Sequence, residues 1–176
     1  MKHTLIGMYL AAIVIANLTV AYFGPSVVIA NAFVLIALDL TARDKLHELW
    51  HGQHLVRNMA LLIACGSILS AALDYAALPV ALASFAAFAL SETADTFVYA
   101  RLEARGWYWK VNGSNVVSAL IDSVVFLSLL AALTDRLPWS LVPLLAFGQW
   151  GAKTIGGAIW AYILKPHSMK DYTHGL

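Results

Sequence analysis

Apolar residues run almost without interruption from Thr4 to Tyr22, pause at Gly24 and Pro25, and resume from Ser26 to Leu40. Further runs occupy Asn58 to Leu73, Pro79 to Tyr99, Ser114 to Leu133 and Ser140 to Leu164. Crossing roughly 30 Å of hydrocarbon takes about 20 helical residues, so each run is a candidate span, the second and third being short. Stretches such as Leu5 to Ala16 lack the alternation of a barrel strand. A backbone in lipid must satisfy its own hydrogen bonds, which leaves helices. Gly24 and Pro25 predict a tight turn, Pro79 opens the fourth run, and Pro138 marks the bend before the last. Lys2 and His3 precede the first run as in a signal peptide, but Asn17 to Tyr22 offers no small-residue cleavage site, so the run reads as a span. The expectation is an all-α polytopic membrane protein, a bundle of about six transmembrane helices forming one domain over residues 1–176.

Composition strengthens this picture. The chain is 61% hydrophobic and 12% charged, with a mean hydropathy of +0.74, whereas soluble domains are roughly a quarter charged. Its main partner is therefore the lipid bilayer. A net charge of +1 suggests no nucleic-acid partner, and the single Cys65 excludes an intrachain disulfide. Cytoplasmic loops hold an excess of Lys and Arg. One face receives Lys2, then Arg43, Lys45 and Arg57, then Arg101, Arg105 and Lys110, then Lys165 and Lys170; the other receives Arg136. That asymmetry predicts an even number of spans and both termini in the cytoplasm; the expected location is the cell (inner) membrane. Small residues four apart (Gly7 with Ala11, Ala12 with Ala16, and Gly148, Ala152, Gly156) let helices approach closely in lipid. They serve packing within the chain or a docking face for a second copy or a scaffold subunit.

Ionisable side chains inside spans change the picture most, since each costs at least about 2.5 to 3.5 kcal/mol near the bilayer centre and normally faces a cavity or a partner. Glu92 and Asp95 sit three apart on one face of the fourth helix. Asp122 lies in the fifth, with Ser118 and Asn115 four and seven residues earlier on the same face. Lys153 lies in the sixth, one turn after Gln149, and Asn17 and Asn31 add polar groups on the first two. These residues read as a register-fixing ion pair or as a binding site. Three carboxylates against one lysine leave acceptors in excess, which suits a small, flat, donor-rich molecule, because a carboxylate accepts two parallel N–H bonds from an amidine-like edge. Tyr99, Trp107, Trp109, Trp150 and Trp160 are candidates for stacking on such a ligand or for anchoring at the membrane interfaces. No cofactor is expected.

His47-Glu48-Leu49-Trp50-His51 matches the H-E-x-x-H pattern of zinc proteases. A catalytic zinc needs a third protein ligand. His54 is the nearest candidate, and Gly52 is expected to end the helix before it. The pattern therefore reads as a cytoplasmic amphipathic turn, and the chain is not expected to be an enzyme.

The run Ser114-Asn115-Val116-Val117-Ser118 followed by Ile121-Asp122-Ser123-Val124-Val125-Phe126 resembles the S-N-x-x-S…I-D-S-x-x-F stretch of the VUT family, queuosine-precursor transporters related to vitamin-uptake proteins. Glu92 to Tyr99 is similar to that family's E-x-x-D-x-x-V-Y, and Asp44, Glu48 and Gly52 resemble its D-x-x-x-E…G stretch. Lys153 stands where the family has a lysine in its last helix. The resemblance implies uptake of 7-deazapurine bases such as preQ0, preQ1 or queuine. It also implies a site built from Glu92, Asp95, Asn115, Ser118, Asp122 and Lys153, which Gln149, Asn17 and Asn31 complete on the residue reading. An alternative is the substrate-binding subunit of an energy-coupling-factor vitamin transporter.

Overall fold

The structure, a computed structural model, describes residues 2–50 and 54–164, without the side chains at positions 2, 47, 48, 55 and 56. Nearly all of these residues are helical, and no strand occurs among them. Helix α1 spans Lys2–Phe23. The chain then turns at Gly24, whose φ of +69° lies in the left-handed region that only glycine enters cheaply. A 3-10 turn, Gly24–Val27, carries Pro25 in its first positions. It leads into α2 (Val28–Asn31), a π-helical turn (Ala32–Ile36) and α3 (Ala37–Trp50). Val28, Ala32 and Ala37 at the junctions keep right-handed helical dihedrals, so this stretch is one continuous rod. It folds back along α1: the Asn31 side-chain amide donates to Thr19 Oγ1 at 2.8 Å and to the Ala16 carbonyl at 3.3 Å across the turn.

Helix α4 (Leu55–Leu73) ends at Asp74, whose carboxylate accepts the Ala76 N–H and caps the 3-10 turn Tyr75–Ala77. Helix α5 (Leu78–Arg101) starts with Pro79 in its first turn, where the missing N–H costs nothing. Helix α6 covers Trp107–Leu133 and α7 covers Val142–Ile163, with Pro143 in its first turn. Neighbours in space form a ring: α1 touches α3 and α4, α4 touches α5, α5 packs on α6, α6 on α7, and α7 returns to the π turn and α3.

Among the described residues three helical stretches are long and apolar enough to cross a membrane: His3–Leu46, which is folded at Gly24, Tyr75–Arg101 and Trp107–Leu133; Arg57–Leu73 is a shorter apolar helix. Large apolar side chains point outward along these helices and along α7, among them Leu82, Phe85, Leu120, Val124, Leu144 and Phe147. Apolar area exposed on this scale needs lipid or a partner to cover it.

Two boundaries differ from the hydropathy reading. Helix α3 runs past Leu40 to Trp50, and α6 starts at Trp107 instead of Ser114. Thr41, Ala42, Arg43, Asp44 and Leu46 are buried against other helices, so polar residues continue the helix where no lipid contact demands hydropathy. Arg43 is therefore a core residue and not part of a basic loop.

The small-residue stripes divide. A Cβ on Gly156 would lie 2.3 Å from the Phe33 carbonyl oxygen and 2.7 Å from the Ala37 Cβ, so α7 presses directly on the π turn. One on Gly148 would meet Ile29 at 3.0 Å. Ala12 and Ala16 are buried, whereas Gly7 and Ala11 are exposed, and a Cβ on Gly7 would meet nothing.

Candidate functional site

Polar side chains form a column along the inside of the ring, in three layers. At the Gly24 end, Asn17 on α1 donates to Ser70 Oγ on α4 at 3.1 Å and accepts from Ser84 Oγ on α5 at 2.6 Å. Ser70 in turn bonds the Gly66 carbonyl at 2.7 Å. Asn17 and Asn31 thus tie helices together as well as facing the interior.

The middle layer is centred on Lys153 of α7, which is 2% exposed. Its ammonium donates to Asp122 of α6 in a short ion pair, to Ser123 Oγ at 3.1 Å and to Gln149 Oε1 at 3.1 Å. An ammonium has three donors, so Lys153 is saturated by its own protein. Gln149 also reaches the Val28 carbonyl at 3.4 Å.

The third layer is centred on Arg43 of α3, which is also buried. Its guanidinium lies 2.8 Å from Asp95, 3.4 Å from Glu92 and 3.4 Å from Asp44, and donates to Asn115 Oδ1 at 3.1 Å. Asn115 passes the bond on to Asp44 Oδ2 at 3.2 Å. A planar fork with five donors suits several acceptors at once, and arginine supplies it where lysine cannot. The face shared by Asn115, Ser118 and Asp122 therefore serves two centres. Asn115 belongs to Arg43 and Asp122 to Lys153, roughly 10 Å apart along α6 at 1.5 Å per residue. Ser118, fully buried between them, has no hydrogen-bond partner for its hydroxyl among the described residues.

A cavity of about 30 Å³ opens between the first two layers, lined by Asn17, Asn31, Ser84, Asp122, Gln149 and Lys153 together with Phe88 and Phe126. It has room for a water or so, whereas small-molecule pockets start at about 300 Å³. Admitting a flat base requires the helices to part. A second cavity, about 260 Å³, lies at the Gly24 end among Pro25, Pro79, Thr134 and Arg136, and Arg136 bonds the Ala21 carbonyl there.

The structure brings all nine sequence candidates into the column but divides them, with Glu92, Asp95 and Asn115 in the Arg43 layer and the rest nearer the cavity. It adds Arg43, Ser84 and Ser123, all buried; Asp39 on α3 and Tyr9 on α1 are buried as well. The acid-to-base spacing of Asp39 and Arg43, one helical turn, was the available signal. None of Tyr99, Trp107, Trp109, Trp150 and Trp160 lines the cavity. Trp109 is exposed, and Trp150 and Trp160 bond the carbonyls of Val116 and Val34. Lys45 lies 4.6 Å over the Trp107 ring.

The H-E-x-x-H pattern falls outside the described residues at His51 and at the side chains of His47 and Glu48, as does Gly52. His54 holds a left-handed conformation at the start of α4. Among the described residues no group of three or more His, Cys, Asp or Glu side chains is arranged to hold a metal ion.

Comparison with curated proteins returned no match, and comparison with solved structures returned none. A family model described as "Putative vitamin uptake transporter" matches residues 4–165. With nearly the whole chain covered by that match, the protein belongs to the VUT family of vitamin uptake transporters.

Proposed function

We propose that this chain carries a queuosine-precursor base, a 7-deazapurine such as preQ0, preQ1 or queuine, across the cell (inner) membrane through the layered polar column. The observation that carries the reading is the buried excess of acceptors. Asp44, Glu92, Asp95 and Asp122 line an interior that holds two buried cations, Arg43 and Lys153, among the described residues. A donor-rich amidine-like edge is the complement of such an interior. Asp122, Gln149, Ser84 and Asn17 border the cavity and would meet the base first, with Phe88 and Phe126 as its apolar walls.

Binding is tested by thermal shift of the detergent-purified chain with a panel of deazapurines, purines and vitamins. A cognate base at one hundred times its Kd should stabilise by about 2.7 kcal/mol. A response confined to vitamins would replace the deazapurine reading, and a response to none of the panel would remove it.

In the proposed topology the chain crosses six times, with both termini in the cytoplasm. Among the described Lys and Arg residues that remain when the buried Arg43 and Lys153 are set aside, only Arg136 falls at the Gly24 end. Reporters fused at either terminus should both read cytoplasmic; a periplasmic C-terminus overturns the six-span arrangement. The outward-facing Gly7 and Ala11 on α1 support a second reading, a substrate-binding subunit docked on an energy-coupling scaffold. Uptake by the isolated chain in liposomes would exclude a need for that partner.

A further inference from the structure

Asp39 has no role in either charge centre. It is 1% exposed on α3, one turn before Arg43, and its Oδ1 meets no hydrogen-bond donor among the described residues. The other interior carboxylates are held: Asp122 by Lys153, and Asp44, Glu92 and Asp95 by Arg43. The groups that face Asp39 electrostatically are Arg43 on its own helix, Glu92 on α5, Asp122 on α6, Lys153 on α7 and Tyr9 on α1. Helix α4 carries Arg57 and Cys65, both exposed. Asp39 thus lies one helical turn before Arg43, a cation already engaged by other acids.

We propose that Asp39 is the proton-binding site that couples base uptake to the proton gradient. The proposal rests on the transporter reading and adds its driving force. An ionised carboxylate with a buried oxygen that no donor meets is costly, whereas the neutral acid is tolerated there. In the closed arrangement the Asp39 carboxylate has taken up one proton, forming an O–H bond. When the column opens toward the Arg43 layer, water and a freed guanidinium stabilise the carboxylate, and that same proton leaves to the inner side. One proton enters with each base, and no redox step or further reactant is involved. Ser118 on α6 is a further buried hydroxyl without a hydrogen-bond partner among the described residues.

The test uses the full chain in proteoliposomes with radiolabelled 7-deazaguanine, an uncharged probe. With one proton per base, an inside-alkaline gradient can raise the inside-to-outside ratio by about tenfold per pH unit. Wild type should accumulate the base, whereas Asp39→Asn should only equilibrate it yet still exchange labelled for unlabelled base at a rate close to wild type. Asp39→Glu, which restores a titratable group, should recover accumulation. Gradient-driven accumulation by Asp39→Asn overturns the proposal, as does loss of exchange in a folded Asp39→Asn protein, which would make the residue a base ligand. If Asp39→Asn does not fold, a trapped pH dye in wild-type vesicles decides: base-driven acidification of the lumen supports coupling, and its absence overturns it. Wild-type exchange that ignores the gradient overturns coupling and leaves the transporter reading standing. Wild type that neither exchanges nor accumulates base overturns that reading, and the proposal with it.

Discussion

Lys153→Met is expected to destabilise the bundle by about 3 to 5 kcal/mol, the cost of breaking a buried ion pair from one side. The change strands Asp122 and also unbinds Ser123 and Gln149, all of which share the one ammonium. Adding Asp122→Asn should recover part of the loss, because the uncompensated charge leaves with its partner. Adding Glu92→Gln or Asp95→Asn to Lys153→Met should not, since both of those carboxylates belong to Arg43. Melting temperatures of the three double variants, compared in one detergent, check the assignment. Equal recovery by all three, or by none, would dissolve the pairing. By the same argument Asp122→Asn alone strands Lys153, so a loss of binding in that variant must be read beside its stability.

Arg43→Met should be as damaging to the fold and should abolish uptake. It leaves Asp44, Glu92 and Asp95 facing one another in a buried layer with no cation, and it cuts the link to Asn115 on α6. Arg43→Lys should rescue it poorly, because a compact ammonium cannot reproduce a fork that spans several acceptors. Combining Arg43→Met with Asp95→Asn should regain part of the stability, since the shortest of the three ion pairs, 2.8 Å, is then removed from both sides. A folded and transport-competent Arg43→Met would remove this centre from the mechanism.

The helical class, the turn at Gly24 and the convergence of α5, α6 and α7 on a charged interior were legible in the sequence. Lys153 needs a carboxylate wherever it is buried, and Gln149 one turn earlier meets it as the spacing predicts. The Arg43 layer was not legible, for a specific reason. Hydropathy separates lipid from water, but residues 41–46 are shielded from both by protein, so a run containing Thr41, Arg43 and Asp44 reads as the end of a span when it is the continuation of a buried helix. Asp39, at the apparent edge of that span, was hidden in the same way. Nor does spacing along α6 reveal that Asn115 and Asp122 serve different centres. Side chains on one helical face share a direction, and which partner each meets depends on what α3 and α7 bring to that depth.

The seam at Gly156 constrains how the column can move. The π turn leaves the Phe33 carbonyl close enough to α7 that not even a methyl group fits between them. Two surfaces in that kind of register do not slide past each other without first separating. Helix α7 and the rod formed by α2, the π turn and α3 are therefore interlocked at this seam, with Lys153 on one element and Arg43 on the other. The glycine acts as a clamp between the two elements that bear the buried cations, and a larger side chain there would have to push them apart.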